Sequence, residues 1–296
     1  MTKVYRIENT RLSVDISSLG AEMISIYNKS TAKQMLWQPN AEIWSGQAPV
    51  LFPFIGRLKS GKYTHEGTEY EIASHGFARK NSFEAIQHGP EQIEFFLTDT
   101  QATRAMYPFS LRFAVRYSLR GSTITKEHIT SNLSNKTMYF EVGGHEGYNL
   151  DLCPGAKMTD YHLRFDSLND RESIETYTTD RNMMINPATI KIPLKNGTLP
   201  LHMELFANDA LILPDMAGTT VELWNKAGPV ARVYTGDFCF MGLWTKYLTY
   251  DTKFLCIEPW SSLPDCNFLD YELVNKIGVR ALDAVQCETL SYTMSF

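Results

Sequence analysis

The stretch L-R-F-A-V-R-Y-S-L-R-G-S-T-I-T-K-E-H-I-T, residues 111–130, alternates apolar and polar side chains with a period of two over its first half. Leu111, Phe113, Val115, Tyr117 and Leu119 therefore share one face, as they would on a strand with one side against a core. Gly121-Ser122 interrupts the run as a turn signal, which predicts a hairpin. The same alternation places Leu12, Val14 and Ile16 together near the N-terminus. A second hairpin is predicted in V-E-L-W-N-K-A-G-P-V-A-R-V-Y-T, where Asn225 to Pro229 break two β-rich runs. Further strands are expected at residues 93–98, 137–142, 161–165, 210–213, 253–258 and 289–296. Helical periodicity is weak. Segments 98–107 and 172–184 could each hold a short helix, but neither supplies the crossover that repeated βαβ units need. Many short strands separated by turn signals predict an all-β fold, a large antiparallel β-sandwich. No linker, low-complexity run or repeat divides residues 1–296, so one domain is expected.

Composition agrees with that expectation. The 296 residues are 44% hydrophobic and 21% charged, enough apolar material for a large core. With 28 Lys and Arg against 33 Asp and Glu, the net charge of −5 offers no electrostatic case for nucleic acid or an anionic membrane. No apolar run is long enough for a transmembrane helix, and M-T-K-V-Y-R-I-E-N-T lacks the apolar segment of a secretory signal. Five cysteines, odd in number and without a C-x-x-C pair, fit scattered reduced thiols. A cytoplasmic protein is expected, and the Asn-x-Ser/Thr triplets at Asn132, Asn135 and Asn196 then carry no meaning. The 16 Phe, 15 Tyr and 5 Trp either fill a β-rich core or line a ligand cleft.

Four places depart from plain β-core. In L-F-P-F-I-G-R-L-K-S-G (51–61), Arg57 is delivered on a segment constrained by proline and glycine; it could offer its donor fork to hydroxyls or a phosphate, or pair with a surface carboxylate. In S-H-G-F-A-R-K (74–80), Gly76 beside His75 permits positive φ or close approach, useful for a ligand and equally common in a plain turn; Arg79 follows. In E-V-G-G-H-E-G-Y-N-L (141–150), three glycines surround His145, a density that marks a bulge, a bend or a close-approach site. In K-F-L-C-I-E-P-W-S-S-L-P-D (253–265), an apolar strand ends at Glu258, pinned extended by Pro259 and poorly explained by folding needs. Trp260 beside it could lie under a sugar ring or pack in the core.

Other chemistries fit badly. H-E-G-Y-N is not H-E-x-x-H, and no close His pair has metal-ligand spacing, so no metal site is expected. There is no G-x-S-x-G elbow, P-loop or strand-associated G-x-G-x-x-G. A glycoside hydrolase needs two placed carboxylates, and only Glu258 is singled out by its context.

Together these motifs resemble the aldose 1-epimerase, or galactose mutarotase-like, proteins, closest to the LacX-type branch. The resemblance runs from G-A-E-M-I-S-I at 20 through F-P-F-I-G-R-L, S-H-G-F-A-R, G-G-H-E-G-Y-N-L and N-D-A-L-I-L to C-I-E-P-W-S-S-L-P-D. It implies a galactose mutarotase-like supersandwich with a sugar cleft across one face, Glu258 as general base, His145 as general acid, and His75, Arg57 and Asp209 as cleft residues. Arg79 or Lys80 could add a basic group for a hexose phosphate. Trp260, Phe77 and Tyr148 are the aromatics expected near the sugar. G-G-H-E-G-Y-N-L differs from the Asn-His-aromatic pattern of galactose-specific enzymes, so galactose itself is not implied.

Interconversion of α and β anomers needs one base and one acid and no cofactor. Ordinary pKa values of about 4.3 for Glu and 6.5 for His would leave Glu258 ionised and part of His145 protonated near neutral pH. The reading is thus a mutarotase for a hexose or hexose phosphate, with a sugar or sugar phosphate as its small-molecule partner. The alternative is a non-catalytic sugar-binding or regulatory protein on the same fold, which would need Arg57, His75 and Trp260 but tolerate loss of Glu258 and His145.

Overall fold

A computed structural model describes residues 2–168 and 171–296, with the side chain of residue 168 left aside. Two antiparallel sheets dominate it. The larger has nine strands in the order Thr198–Pro200, His162–Phe165, Thr220–Asn225, Gly228–Tyr234, Cys287–Ser295, Thr123–Asn132, Leu111–Arg120, Gln92–Thr98 and Glu84–Gly89. The smaller has six, in the order Glu146–Asn149, Phe254–Trp260, Phe240–Trp244, Leu211–Leu213, Ser173–Thr179 and Ile185–Pro193. A four-stranded meander, Val4–Glu8, Leu12–Ser17, Met23–Asn28 and Lys33–Gln34, opens the chain.

The predicted hairpin is present: Leu111–Arg120 pairs with Thr123–Asn132 across Gly121-Ser122, with Gly121 in the left-handed region. Leu111, Phe113, Val115, Tyr117 and Leu119 are all buried, as are Leu12, Val14 and Ile16. They join one apolar core that runs from Ile7 to Met294 and includes Leu243, Leu255 and Ile257 from the smaller sheet. Burial of such side chains at about 25 cal/mol per Å² is the main force holding the sheets face to face.

Most expected strands are found, with shifted ends. Met138–Phe140 is shorter than 137–142, and the second hairpin turns on Lys226-Ala227 alone, its return strand starting at Gly228. Residues 98–107 hold a six-residue helix, Gln101–Met106, capped by Thr100, whose side chain accepts the Thr103 N–H at 3.1 Å. The helix considered at 172–184 is overturned: Ser173–Thr179 is a strand. Its alternate residues Ile174 and Thr176 turn inward, and the Thr176 hydroxyl accepts the buried Ile212 N–H at 2.8 Å, a contact only the extended chain can make. Among the described residues no helix is long and apolar enough to cross a membrane.

Candidate active site

Strand alternation creates the site. Along Phe254–Trp260, Leu255 and Ile257 point into the shared core while Phe254, Cys256, Glu258 and Trp260 occupy the opposite face. There Phe254 and Cys256 belong to one small cluster with Trp37, and Trp260 to a mainly aliphatic one with Leu51 and Ile212. Glu258 stands at the seam between them. It lies inside the strand and not at its end, since the ladder with Phe240–Trp244 continues through Pro259 to Trp260.

The neighbouring strand brings His145. The ladder pairs Glu146 with Ile257, and a bridge between Gly143 and Trp260 keeps the same register, so His145 falls opposite Glu258. Their Nδ1 and Oε1 atoms are 3.3 Å apart. The two are not aligned as a hydrogen bond, and His145 Nδ1 and Glu258 Oε2 have no other protein partner.

The glycines around His145 are explained by close approach. A Cβ on Gly144 would lie 1.9 Å from the Tyr292 hydroxyl, one on Gly143 2.8 Å from the Trp260 ring, and one on Gly147 2.8 Å from the Trp44 ring. Gly242, the partner of Glu258 on its other side, clears Trp260 in the same way.

The remaining groups converge from loops. His75 has φ 63° and sits against Gly56: the His75 N–H donates to the Gly56 carbonyl at 2.8 Å, and the Gly56 N–H donates to His75 Nδ1 at 3.1 Å. That bond leaves the imidazole proton on Nε2. Burial, together with Arg79 and Arg57, pushes His75 down to about 3, so the ring is neutral. Gly76 has no substitute, because a Cβ would lie 2.2 Å from the Phe52 carbonyl oxygen. Arg57 is fixed through its backbone by the buried triad Glu141, Lys276 and Asp265. Glu141 accepts the Ile55 N–H at 2.7 Å, Asp265 accepts the Lys59 N–H at 2.7 Å, and Lys276 binds both carboxylates. Asp209 accepts the Trp244 indole N–H at 2.9 Å.

Arg57, His75, Arg79, His145, Asp209, Glu258 and Trp260 all line one cavity of about 320 Å³, at the small end of ligand-site sizes. Phe77 and Tyr148 do not. Phe77 is buried edge-on against Phe52, and Tyr148 points with Glu146 into the core side of the sheet, so these two expected sugar contacts are core residues. Lys80 also stays off the cavity wall. Two tryptophans that the sequence reading missed do line it. Trp44 stacks on the His145 ring with centroids 5.1 Å apart, and Trp244 meets that ring edge-on at 5.6 Å. The Phe240-Gly242-Trp244 alternation, facing the same side as Glu258, was a signal for Trp244; nothing local marks Trp44.

Ordinary pKa values do not hold here. Burial, with Glu146 and Asp209 adding like charge, pushes Glu258 well above the carboxylate range. Burial, with His75, Arg79 and Lys126 nearby, holds His145 well below the usual imidazole range. The favoured resting form is therefore neutral histidine beside protonated glutamic acid, not the ion pair expected from unperturbed values.

The molecule is thus a large antiparallel β-sandwich with a polar, tryptophan-walled cavity of small-molecule size on the outer face of one sheet. The chain belongs to the aldose 1-epimerase family, whose sequence profile matches residues 3–271. It is similar to the plasmid-encoded protein LacX of Lactococcus lactis subsp. lactis, 30% identical over 272 residues and 87% of each chain. Among solved structures, it is similar to a galactose mutarotase related enzyme from Lactobacillus acidophilus: TM-score 0.93 at 33% identity, covering 99% of this chain and 97% of that one. A galactose mutarotase-like protein from Lactobacillus casei shares the fold with TM-score 0.91 at 24% identity over 99% of both chains.

Proposed function

We propose that the protein is a mutarotase interconverting the α and β anomers of a hexose or hexose phosphate, with Glu258 and His145 moving the protons. The observation that carries this reading is the cross-strand pair itself, with Nδ1 and Oε1 3.3 Å apart on the wall of a cavity lined by further polar groups.

Anomerisation removes a proton from the C1 hydroxyl, breaks the bond between C1 and the ring oxygen, and protonates that oxygen. Rotation about C1–C2 presents the other carbonyl face, and the C5 hydroxyl closes the ring again with the proton transfers reversed. Glu258 as carboxylate takes the C1-hydroxyl proton, and protonated His145 gives its proton to the ring oxygen. The pair needs one titratable proton between its two members, and it has that count whether the proton rests on Glu258 or on His145. The sequestered resting form is neutral, and hydrogen bonds from sugar hydroxyls favour its conversion to the reactive ion pair. A raised base is also the stronger proton acceptor, and such a pair typically contributes ~10² to 10⁴ in rate.

The surroundings suit a sugar. Trp44, Trp244 and His145 pack against one another with ring centroids 5.1, 5.5 and 5.6 Å apart, and both tryptophans add apolar surface to the cavity wall. Neutral His75 can donate from Nε2, Asp209 can accept hydroxyl protons, and Arg57 and Arg79 form no ion pair within the described residues, leaving them free for hydroxyl or phosphate oxygens. The test is calorimetric titration of candidate aldoses and their 6-phosphates paired with an anomerisation assay. Sugar binding with accelerated anomerisation supports the proposal; binding without acceleration supports a non-catalytic sugar-binding protein.

A further inference from the structure

We infer that His145, Cys256 and Glu258 form a site for a thiophilic divalent cation, of the Zn²⁺ or Cd²⁺ class. Cys256 lies two residues before Glu258 on the same face of Phe254–Trp260, and its cross-strand neighbour on one side is Gly147, which has no side chain to intervene. One ligand atom from each of His145, Cys256 and Glu258 lies within 4.8 Å of the other two, a grouping that occurs once among the described residues. The three residues are 8%, 0% and 1% exposed. His145 Nδ1 and Glu258 Oε2 have no hydrogen-bond partner, an expensive state for buried polar atoms that a shared cation would relieve.

The donor set fixes the chemical class. Thiolate, imidazole and carboxylate are the ligands of zinc-type ions, whereas Mg²⁺ and Ca²⁺ prefer oxygen alone. Ligand atoms around a tetrahedral ion with bonds of about 2.0–2.3 Å lie roughly 3.3–3.7 Å apart, so closure takes a movement on the order of one ångström, within reach of side-chain rotation. His145 binds through its Nδ1 lone pair and stays neutral. Cys256 loses its thiol proton, and Glu258 loses any proton it carries. The two anions then cancel the ion's two positive charges, and up to two protons pass to solvent. Sequence spacing gives no such motif because the ligands come from two strands.

The experiment uses the full chain with Cys153→Ser, Cys239→Ser and Cys287→Ser, which removes the three exposed thiols. Cd²⁺ alone is titrated while ultraviolet thiolate-to-metal charge-transfer absorption and proton release are followed, with no activity measurement required. The expected result is one Cd²⁺ per chain with a charge-transfer band, loss of the band and weakening by roughly tenfold or more in Cys256→Ala, and no displacement by excess Mg²⁺. Where Cys256→Ala does not fold, His145→Gln in the same background is expected to weaken Cd²⁺ by a similar factor. No band, or affinity unchanged in these variants, would overturn the site. The result is independent of the mutarotase reading, which an anomerisation assay on metal-free protein tests separately.

Discussion

His145 and Glu258 are direct cross-strand neighbours, held 3.3 Å apart on antiparallel strands whose opposite faces carry Glu146 and Ile257 into the core. A side-chain pair set by sheet register is rigid, because shifting either strand by one residue would turn its side chain to the wrong face. A slip would also drive Leu255 and Ile257 out of the core, so packing of the whole sandwich protects the geometry of the pair.

The first consequence concerns pH. Unperturbed groups would hold one proton between them only from about pH 4.3 to 6.5. Raising Glu258 keeps its proton to higher pH than an ordinary carboxylate, and lowering His145 delays its protonation to lower pH than an ordinary imidazole. His75, at about 3, adds no limb near neutrality. A kcat/KM profile should depart from the narrow maximum between about pH 4.3 and 6.5 that unperturbed groups would give; that unperturbed maximum would contradict the perturbed pair.

Replacing either member should remove most of the rate. Glu258→Gln and His145→Gln are each expected to lower kcat by about 10² to 10⁴ while sugar binding persists in calorimetry. The double variant should be little slower than either single one, because the two act as a unit. Multiplying losses would show that each residue works alone.

Trp244 ties the cavity wall to Asp209 through its indole N–H. Trp244→Phe keeps the apolar edge against His145 but leaves the half-buried Asp209 without its donor. The variant should raise KM several-fold, with a loss of roughly 1–2 kcal/mol in sugar binding and a smaller change in kcat. An effect on kcat alone would assign Trp244 to supporting His145.

Beneath the site, Lys126 binds Glu146 at 2.7 Å, and Tyr292 donates to the same carboxylate oxygen at 2.6 Å, both from the facing sheet. Lys126 and Glu146 are fully buried. Lys126→Met should cost about 3–5 kcal/mol in urea unfolding, since it strands a buried carboxylate, and Lys126→Met with Glu146→Gln should recover much of the loss. A single variant as stable as the parent would contradict a stabilising buried ion pair at this position.

Residues whose neighbours are local in sequence were legible, and residues placed by distant packing were not. Leu111 to Leu119 declared their strand through alternation, and Glu258 stood out because a carboxylate on an apolar β-run before proline has no folding role. Trp44 gave no sign, since only the turn at Asn40–Trp44 and the missing side chain of Gly147 bring it over His145. Phe77 and Tyr148 misled for the converse reason: adjacency to His75 and Glu146 along the chain does not share a face with the cavity. Ser173–Thr179 reads ambiguously because the inward Thr176 is polar, and its partner, the Ile212 N–H, is 36 residues away. The perturbed pair was invisible too, because Glu146, Asp209 and Lys126 act on it only once the sheets meet.

The deciding measurement is saturation-transfer NMR on equilibrated aldoses and hexose 6-phosphates with the metal-free protein, beside Glu258→Gln. Transfer between the α and β anomeric protons of at least one sugar, accelerated by the parent chain and abolished in the variant, is the predicted result. No acceleration for any sugar, or a full rate in Glu258→Gln, would contradict it.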